Sequence, residues 1–311
     1  MTHVYRDRYF QHHLTGSHPE CPERVSAIAD YLDNSSLFTN CHQPVWEVAK
    51  LEQIVRVHEK EYIERVRIFA EQGGGQIESD TILSAESYQV ARHGAGAVCD
   101  AVKQVLTGTA LNALCLVRPP GHHALSQAPM GFCLFNNAAI AARHATVAFD
   151  LDRILIVDWD VHHGNGTQEI FWEDENVAFF SIHRWPFYPG TGDRHETGSG
   201  RGLGTTKNLP IEFGISRRDY QALFEYELEK FANRIKPQMV IISAGFDSHR
   251  EDPIGSLGLE TEDFSELTRI VMRIAGAFAQ GKIVSVLEGG YNVQVLPACV
   301  GAHLKELSTA E

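Results

Sequence analysis

The chain has 311 residues, of which 43% are hydrophobic and 22% charged, and its formal net charge is −13. This composition excludes a disordered chain and indicates a packed protein large enough for one α/β domain. The negative charge argues against a nucleic-acid partner, and no apolar run reaches the roughly 20 residues of a membrane span. The N-terminus lacks the apolar core of a secretory signal, so we expect a cytoplasmic protein without a membrane partner.

Helical and strand patterns alternate along the chain. In chain order they predict helices at Pro22–Leu32, Glu61–Ala70 and Ser87–Leu106, a strand at Ala113–Val117, a helix at Asn137–Ala148, strands at Ile154–Val157 and Val177–Ile182, a helix at Arg217–Ile235, a strand at Met239–Ser243, a helix at Thr261–Ala279, a strand at Ile283–Leu287 and a helix at Val293–Leu307. The glycine-rich segment 71–80 reads as a loop. The alternation predicts one α/β domain over residues 1–311, with a mostly parallel sheet and helices on both faces.

Polar segments follow all five predicted strands: RPPGHHA, DWDVHHGNG, HRWPFYPGTGD, GFDSHREDP and EGGYN. Ligands bind at the carboxyl ends of the strands in open α/β sheets. We therefore expect these five segments to meet around one cleft.

A metal site is predicted where the second of these strands ends. Asp158, Asp160 and His162 alternate in an extended segment, so their side chains point the same way. Asp160 and His162 can reach one cation, and Asp247 can supply a third ligand. Three such ligands with an open position describe a catalytic zinc site, although Mn²⁺, Fe²⁺ or Co²⁺ also accept oxygen and nitrogen ligands. The plainer interpretation, that the aspartates cap a turn, does not account for Asp247 or the second histidine pair.

The histidine pair His122 and His123 follows a stiff Pro-Pro-Gly turn, which favours a catalytic role over an exposed surface pair. An imidazole can take a proton from an activated water, and Asp158 and Asn165 are available as partners for its second nitrogen. An aspartate partner would favour a charged histidine and an asparagine partner would not. The two histidines could then differ in protonation at one pH.

Tyr291 follows two glycines, whose backbone freedom suits a residue placed close to a substrate. Its hydroxyl could donate a hydrogen bond to an oxyanion formed beside the metal. The alternative is a partly buried core tyrosine.

These residues resemble one family, the zinc-dependent histone deacetylases and their bacterial amidohydrolase relatives, which share the arginase–deacetylase fold. The resemblance covers most of the chain and is closer to the class II branch. The motifs are HPECPER (18–24), RPPGHH (118–123), GFCLFNN (131–137), DWDVHHGNGT (158–167), PGTGD (189–193), GFDSHREDP (245–253) and LEGGYN (287–292). It implies an eight-stranded parallel sheet and one zinc ion on Asp160, His162 and Asp247.

The resemblance also implies roles around the site. His123 would be the general base and acid, and Tyr291 would polarise the acyl carbonyl. Substrate-binding and product residues would be Gly131, Phe132 and Tyr188 at the tunnel wall, Asp80 at the rim, and Arg24 in an acetate channel. Monovalent cations, K⁺ or Na⁺, would bind at two places, formed by Asp158, Asp160, His162 and Ser181, and by Phe171, Asp174 and Val177.

Two positions bear on the substrate. Many family members carry phenylalanine where this chain has Tyr188, and the tyrosine keeps the aromatic wall while adding a hydroxyl. Polyamine-selective relatives carry an acidic gatekeeper at the position of Ile254. An apolar residue there cannot pair with a distant ammonium, which disfavours polyamine selectivity.

The sequence therefore predicts a zinc-dependent deacetylase that hydrolyses acyl-lysine in proteins or peptides and releases acetate. One alternative is a deacetylase of acetylpolyamines or other small acylated amines. A second, of another class, is a non-catalytic acyl-lysine-binding module, which the complete set of ligands and Tyr291 disfavours. A third is an arginase-like dimanganese hydrolase, which would need further bridging carboxylates. The sequence leaves the oligomeric state open, including a homo-oligomer.

Overall fold

A computed structural model describes residues 1–309 of the chain. Its strands are β1 (Thr2–Tyr5), β2 (Cys41–His42), β3 (Gly74–Glu78), β4 (Thr81–Ser84), β5 (Asn112–Cys115), β6 (Ile154–Asp158), β7 (Val177–Arg184), β8 (Thr206–Ile211), β9 (Met239–Ala244) and β10 (Ile283–Leu287). Its α-helices are α1 (Glu23–Asp33), α2 (Leu51–Ile54), α3 (Lys60–Glu71), α4 (Ser87–Leu106), α5 (Asn137–Phe149), α6 (Asn165–Ile170), α7 (Arg217–Ile235), α8 (Thr261–Phe278) and α9 (Leu296–Leu307).

Eight strands form one sheet in the order β2-β1-β5-β10-β9-β6-β7-β8. Every neighbouring pair in this sheet is parallel. The central strands β6, β9 and β10 are buried along their whole length, which explains why their sequences are continuous apolar runs rather than alternating ones. The prediction of an α/β fold with an eight-stranded parallel sheet is confirmed.

The strand order brings the predicted polar segments together. The strands β5, β10, β9 and β6 are consecutive neighbours in the sheet, and β7 follows β6. Because these strands are parallel, the segments RPPGHH, EGGYN, GFDSH and DWDVHH leave the sheet at the same edge. The cleft is therefore built from adjacent strand ends at the middle of the sheet.

Helix α5 fixes one side of this cleft because its first turn is capped. The side chain of Asn136 accepts a hydrogen bond from the backbone N–H of Ala139, and Asn136 is completely buried. Such a cap typically stabilises a helix by roughly 0.5–2 kcal/mol. The cap holds the end of the segment 131–136, which forms part of the cleft wall.

The structure differs from the sequence prediction in several elements. The segment 71–80, predicted as a loop, contributes strand β3 to an antiparallel hairpin with β4. That prediction was wrong because Gly73, Gly74 and Gly75 adopt positive φ in the hairpin, and a half-exposed two-stranded ribbon has little apolar alternation. Strands β1, β2, β4 and β8 and the short helices α2 and α6 were not predicted. Helix α9 begins at Leu296 rather than at Val293, after Asn292 accepts a hydrogen bond from the N–H of Gln294.

No helix within residues 1–309 combines the length and apolar character needed to cross a membrane.

Candidate active site

A narrow pocket of about 260 Å³ opens at the carboxyl edge of the sheet. Its floor lies at the strand ends and its mouth lies between the β3–β4 turn and the segment after β7. The lining residues are Asp80, His123, Gly131, Phe132, His162, Phe187, Tyr188, Ile254 and Tyr291. Most of these side chains are aromatic or aliphatic, so the pocket suits an apolar chain that carries a polar group at its inner end.

Three candidate metal ligands meet at the floor. The ligand atoms of Asp160, His162 and Asp247 all lie within 4.8 Å of one another, and all three residues are buried. The Nδ1 of His162 lies 3.0 Å from Asp160 Oδ1 and 3.1 Å from Asp247 Oδ2. Ligand atoms around a tetrahedral zinc ion with bonds of about 2.0–2.1 Å are about 3.3 Å apart, so this spacing fits the ion.

Asp247 Oδ2 gives an independent reason to expect a cation. It is a buried oxygen that accepts no hydrogen bond from the residues described, and the nitrogen that lies 3.1 Å from it, His162 Nδ1, is itself a candidate metal ligand. An unpartnered buried carboxylate oxygen is costly, and a metal ion removes that cost. The other oxygen, Oδ1, accepts a hydrogen bond of 2.9 Å from the N–H of Val161, so the carboxylate is oriented with Oδ2 towards the other two ligands.

Glycines make room for these carboxylates. The N–H of Gly289 donates to Asp160 Oδ2 at 2.8 Å. A Cβ atom at Gly289 would collide with the carboxylate oxygens of Asp247 and Asp160, and one at Gly245 would collide with Asp160. The glycines of the GFDSH and EGGYN segments are therefore required by close packing around the candidate metal centre.

The tandem histidines have different partners. His122 Nδ1 lies 3.0 Å from Asp158 Oδ2, and His123 Nδ1 lies 2.6 Å from Asn165 Oδ1. Burial disfavours the charged form of His122, but the carboxylates of Asp158, Asp160 and Glu288 together outweigh it and raise the pKa of His122 to about 10. Burial and the adjacent His122 hold the pKa of His123 well below its ordinary value. At neutral pH the pair therefore consists of one charged and one neutral imidazole.

Tyr291 completes the inner end of the pocket. Its ring packs edge-on against Phe132, with centroids 5.5 Å apart, and its backbone N–H donates to Asp252 Oδ2 at 2.7 Å. Burial raises the pKa of the Tyr291 phenol well above its ordinary value, so the hydroxyl stays protonated. It is available as a hydrogen-bond donor inside the pocket.

Arg24 is completely buried beneath the segment that leads to Tyr291. Its guanidinium donates to the carbonyl oxygens of Gly290 at 2.6 Å and Glu288 at 2.5 Å, and to Glu20 Oε1 at 3.0 Å. It also lies 4.9 Å from the centroid of the Tyr291 ring. These contacts fix the backbone that carries Tyr291. That Arg24 lines an acetate channel stays a prediction.

At the mouth, Asp80 connects two walls of the pocket. It accepts a hydrogen bond from the Gly131 N–H at 3.0 Å and another from the Tyr188 hydroxyl at 2.8 Å. Phe132 has a positive φ of 71°, a strained conformation for a bulky residue, and its N–H donates to Thr81 Oγ1 at 3.1 Å. Residues of the hairpin turn thus hold the Phe132 ring in the pocket wall.

The family resemblance implies two groups of residues that bind monovalent cations. The first group includes residues beside the floor of the pocket, and the second lies in the segment that leads to β7. Asp158 on β6 and Ser181 on β7 are register partners, and the Ser181 hydroxyl lies 2.9 Å from His183 Nδ1. In the second group, Asp174 Oδ1 accepts from the N–H of Val177 at 3.0 Å. Phe171 is buried in the same region. The binding of K⁺ or Na⁺ through their backbone oxygens stays a prediction.

Sequence reasoning assigned no role to Glu288, although it is completely buried beside the site. Its Oε2 accepts hydrogen bonds from the N–H groups of Gly121 at 2.7 Å and His122 at 3.1 Å, and its Oε1 accepts from Ser243 Oγ at 3.0 Å. It therefore ties the histidine loop to the end of β10. The signal was present in the sequence as an acidic residue directly after an apolar strand.

Asp252 and Glu20 were also missed. Asp252 accepts hydrogen bonds from the N–H groups of Ile254 and Tyr291, so it connects the mouth of the pocket to its inner end. Glu20 is buried between Arg24 and Arg118, and it links the segments that carry the tandem histidines and Tyr291. The contacts of Asp252 with Tyr291 and of Glu20 with Arg118 are not readable from local sequence, because their partners are distant along the chain.

Comparison with known proteins decides the family. The family model of the histone deacetylase domain matches residues 18–307. The chain belongs to the histone deacetylase family. The resemblance predicted from the motifs is thereby confirmed, and so is the prediction that the protein is a deacetylase, a hydrolase of a family whose members normally depend on zinc.

Individual relatives agree with this assignment. A probable deacetylase of Archaeoglobus fulgidus is 38% identical over 293 residues, which cover 94% of this chain and 81% of the relative. The histone deacetylase-like amidohydrolase of Pseudomonas aeruginosa is 36% identical, covering 94% of this chain and 77% of the relative. The polyamine deacetylase HDAC10 of Homo sapiens is 40% identical, covering 96% of this chain but 46% of that protein.

Among solved structures, the crystal structure of the HDA15 HD domain matches with a TM-score of 0.93 at 38% identity. The match covers 98% of this chain and 88% of that chain. Such a match confirms the arginase–deacetylase fold that the sequence motifs implied.

Proposed function

We propose that the protein is a zinc-dependent amidohydrolase that removes an acetyl or other acyl group from the side-chain amine of acyl-lysine in proteins or peptides. The observation that carries the proposal is the floor of the pocket. There the unpartnered oxygen of Asp247 converges with His162 and Asp160, beside the tandem histidines and Tyr291. The products would be the free amine and acetate.

One zinc ion per chain would be held by Asp160, His162 and Asp247. Two carboxylates balance the charge of the ion, and the absence of thiolates from this set favours a catalytic over a structural role. When bound, the ion supplies Lewis acidity that polarises the acyl carbonyl and lowers the pKa of water. We also propose K⁺ or Na⁺ as structural ions near Ser181 and near Asp174.

His123 is proposed to move the proton. Its Nδ1 faces the carbonyl oxygen of Asn165 and therefore carries the hydrogen, which leaves Nε2 free to accept a proton from the attacking water. The low pKa of His123 keeps it neutral before the reaction. The same nitrogen then returns the proton to the departing amine, which is otherwise a poor leaving group.

Tyr291 and His122 are proposed to stabilise charge. The protonated hydroxyl of Tyr291 donates to the acyl oxygen as negative charge develops there. His122, kept cationic by Asp158 together with Asp160 and Glu288, offsets the negative charge of these carboxylates. Glu288 orients the backbone of the histidine loop through the two N–H groups that it accepts.

The pocket walls support a lysine-like stem. Phe132, Tyr188 and Gly131 enclose a space with apolar surfaces, which suits the methylene groups of an acyl-lysine. Acetylpolyamines are the second candidate substrates, because a polyamine deacetylase is among the relatives at 40% identity. The apolar Ile254 at the mouth favours acyl-lysine over a polyamine with a distant ammonium.

An activity panel with purified, zinc-loaded protein tests the proposal. The panel compares kcat/KM for acetyl-lysine peptides with kcat/KM for monoacetylated polyamines, and a chelator-treated sample is the control. We expect faster hydrolysis of the peptides. A preference for the polyamines would establish the second candidate, and failure to hydrolyse either class would overturn both. A single domain over residues 1–311 and the cytoplasmic location stay predictions, and the oligomeric state stays open.

A further inference from the structure

A hydrogen bond crosses the mouth of the pocket, from the hydroxyl of Tyr188 to Oδ2 of Asp80, at 2.8 Å. Asp80 lies in the turn of the β3–β4 hairpin, whereas Tyr188 lies in the segment between β7 and β8. Both residues line the pocket, although 108 positions separate them in the chain. We call this hydrogen bond the mouth bridge.

The two oxygens of Asp80 have separate partners. Oδ1 accepts from the N–H of Gly131 at 3.0 Å and from the hydroxyl of Thr81 at 2.9 Å. Oδ2 accepts from Tyr188. Oδ1 therefore accepts two hydrogen bonds and holds the wall that carries Phe132, so Oδ2 is the oxygen left for a further donor, and the mouth bridge takes one of its two lone pairs.

The hydroxyl and the ring of Tyr188 make different contacts, so a substitution can remove the hydroxyl and keep the ring. The ring forms the wall, packing edge-on against His123 with centroids 5.2 Å apart. Tyr188 is 37% exposed, so the mouth bridge lies close to solvent. A phenylalanine would keep the wall and lose only the mouth bridge.

A substrate embedded in a peptide brings main-chain N–H donors to the mouth when its side chain fills the pocket. Asp80 is the only carboxylate among the nine residues described as lining the pocket. It is thus the strongest acceptor available to those donors. The Tyr188 hydroxyl already donates to the oxygen that would receive them.

We propose that Tyr188 is a specificity-determining positioning residue, whose hydroxyl competes with main-chain donors of a peptide substrate for Asp80 Oδ2. The mouth bridge thereby lowers the preference for acyl-lysine within a peptide relative to a slender acylated amine that has no main chain. This inference rests on the proposed function. It concerns the choice among acylated amines and leaves the chemistry at the floor unchanged.

The test compares two substrates in wild type and Tyr188→Phe. One is an acetyl-lysine peptide, and the other is N-pentylacetamide, a neutral amide with a short alkyl stem and no main chain. In Tyr188→Phe we expect the ratio of kcat/KM, peptide over alkylamide, to rise about fivefold, mainly through a lower peptide KM. Tyr9→Phe is the matched control, because it removes a tyrosine–carboxylate hydrogen bond to Glu86 at 3.1 Å outside the pocket.

Asp80→Asn gives a second, independent arm. Its carbonyl oxygen keeps the Gly131 contact, and its amide nitrogen cannot accept a main-chain N–H. Removing the Tyr188 hydroxyl in the Asp80→Asn background should therefore leave the substrate ratio unchanged, a departure from additivity. Thermal denaturation of every variant separates a change in selectivity from a loss of folding.

The outcomes are distinct. A ratio in Tyr188→Phe that stays within twofold of wild type, or a rise of equal size in the Asp80→Asn background, would overturn the inference while the proposed function stands. A wild-type protein that hydrolyses neither acylated amine would overturn the proposed function and this inference with it. A rise of about fivefold that disappears with Asp80→Asn would establish the competition.

Discussion

The floor and the mouth of the pocket are built in different ways. At the floor, Asp158, Asp160 and Asp247 are completely buried at the ends of central strands, and each has hydrogen bonds to neighbouring backbone or side chains. At the mouth, Tyr188 and Ile254 are partly exposed on connecting segments. Buried polar groups are costly unless they are satisfied, so the floor cannot change without loss of stability, whereas the mouth can.

This contrast separates the reaction from the choice of substrate. The floor fixes which groups can bind a metal, move a proton and donate to an oxyanion. The mouth fixes what can follow the acyl group into the pocket. Variants of the floor should therefore abolish hydrolysis of every substrate alike, and variants of the mouth should change the ratio between substrates.

The largest effect is expected at a metal ligand. Asp247→Asn keeps the hydrogen bond from the Val161 N–H but weakens the ligand, so zinc affinity should fall by more than the roughly 10–100-fold typical of groups that only support a ligand. Hydrolysis of all substrates should fall to background. Metal content after dialysis and kcat/KM measure this, with the exposed Asp33→Asn as the control. Full zinc occupancy with normal turnover would refute the assigned site.

The next effect is expected at Tyr291. Tyr291→Phe should keep zinc and lower kcat by roughly 10²–10³, because one donor to the developing negative charge is lost. Steady-state kinetics with metal analysis give both quantities. Tyr226, which is 62% exposed, provides the matched control as Tyr226→Phe. Near-normal turnover of Tyr291→Phe would leave Tyr291 as a wall residue without a catalytic role.

Glu288 tests how far the floor depends on buried hydrogen bonds. Glu288→Ala leaves the N–H groups of Gly121 and His122 without their acceptor, at a cost of about 1–3 kcal/mol for each. Glu288→Gln retains an acceptor oxygen, and its amide can donate to Ser243. The melting temperature should be highest for wild type, lower for Glu288→Gln and lowest for Glu288→Ala. An Ala variant as stable as wild type would show that this contact does not hold the loop.

The smallest effect is expected at Ile254. Ile254→Glu places a carboxylate at the mouth, where an exposed charge pair with a distant ammonium is worth up to about fivefold in affinity. The ratio of kcat/KM for a monoacetylated polyamine over an acetyl-lysine peptide should rise by up to that factor, and Ile254→Gln controls for size. Equal ratios in the Glu and Gln variants would exclude this position from substrate choice.

The sequence predicted the parts of the fold that the core dictates. The runs Ile154–Val157 and Ile283–Leu287 are apolar because their strands are buried on both faces, so their nature is readable locally. Strand β2 has two residues, and β8 contains Lys207, Asn208 and Pro210, so neither carries a strong strand pattern. The hairpin at 74–84 depends on glycine conformations that no apolar alternation indicates.

In the candidate site, too, some features were readable from the sequence and others were not. The residue types at the strand ends were readable because Asp, His and Tyr are unusual directly after a buried strand. Their contacts depend on the order β5-β10-β9-β6, which the sequence does not state. The contacts of Glu20 with Arg118 and of Asp80 with Tyr188 span 98 and 108 positions, so only the folded chain reveals them.

The proposed function requires one divalent ion at the floor of the pocket for deacylation. Protein stripped by a chelator and then titrated with zinc tests it directly, with metal content and hydrolysis of an acetyl-lysine peptide followed together. We expect no hydrolysis by the stripped protein and full recovery at one ion per chain. Hydrolysis by protein free of metal, or recovery that requires two ions, would contradict it.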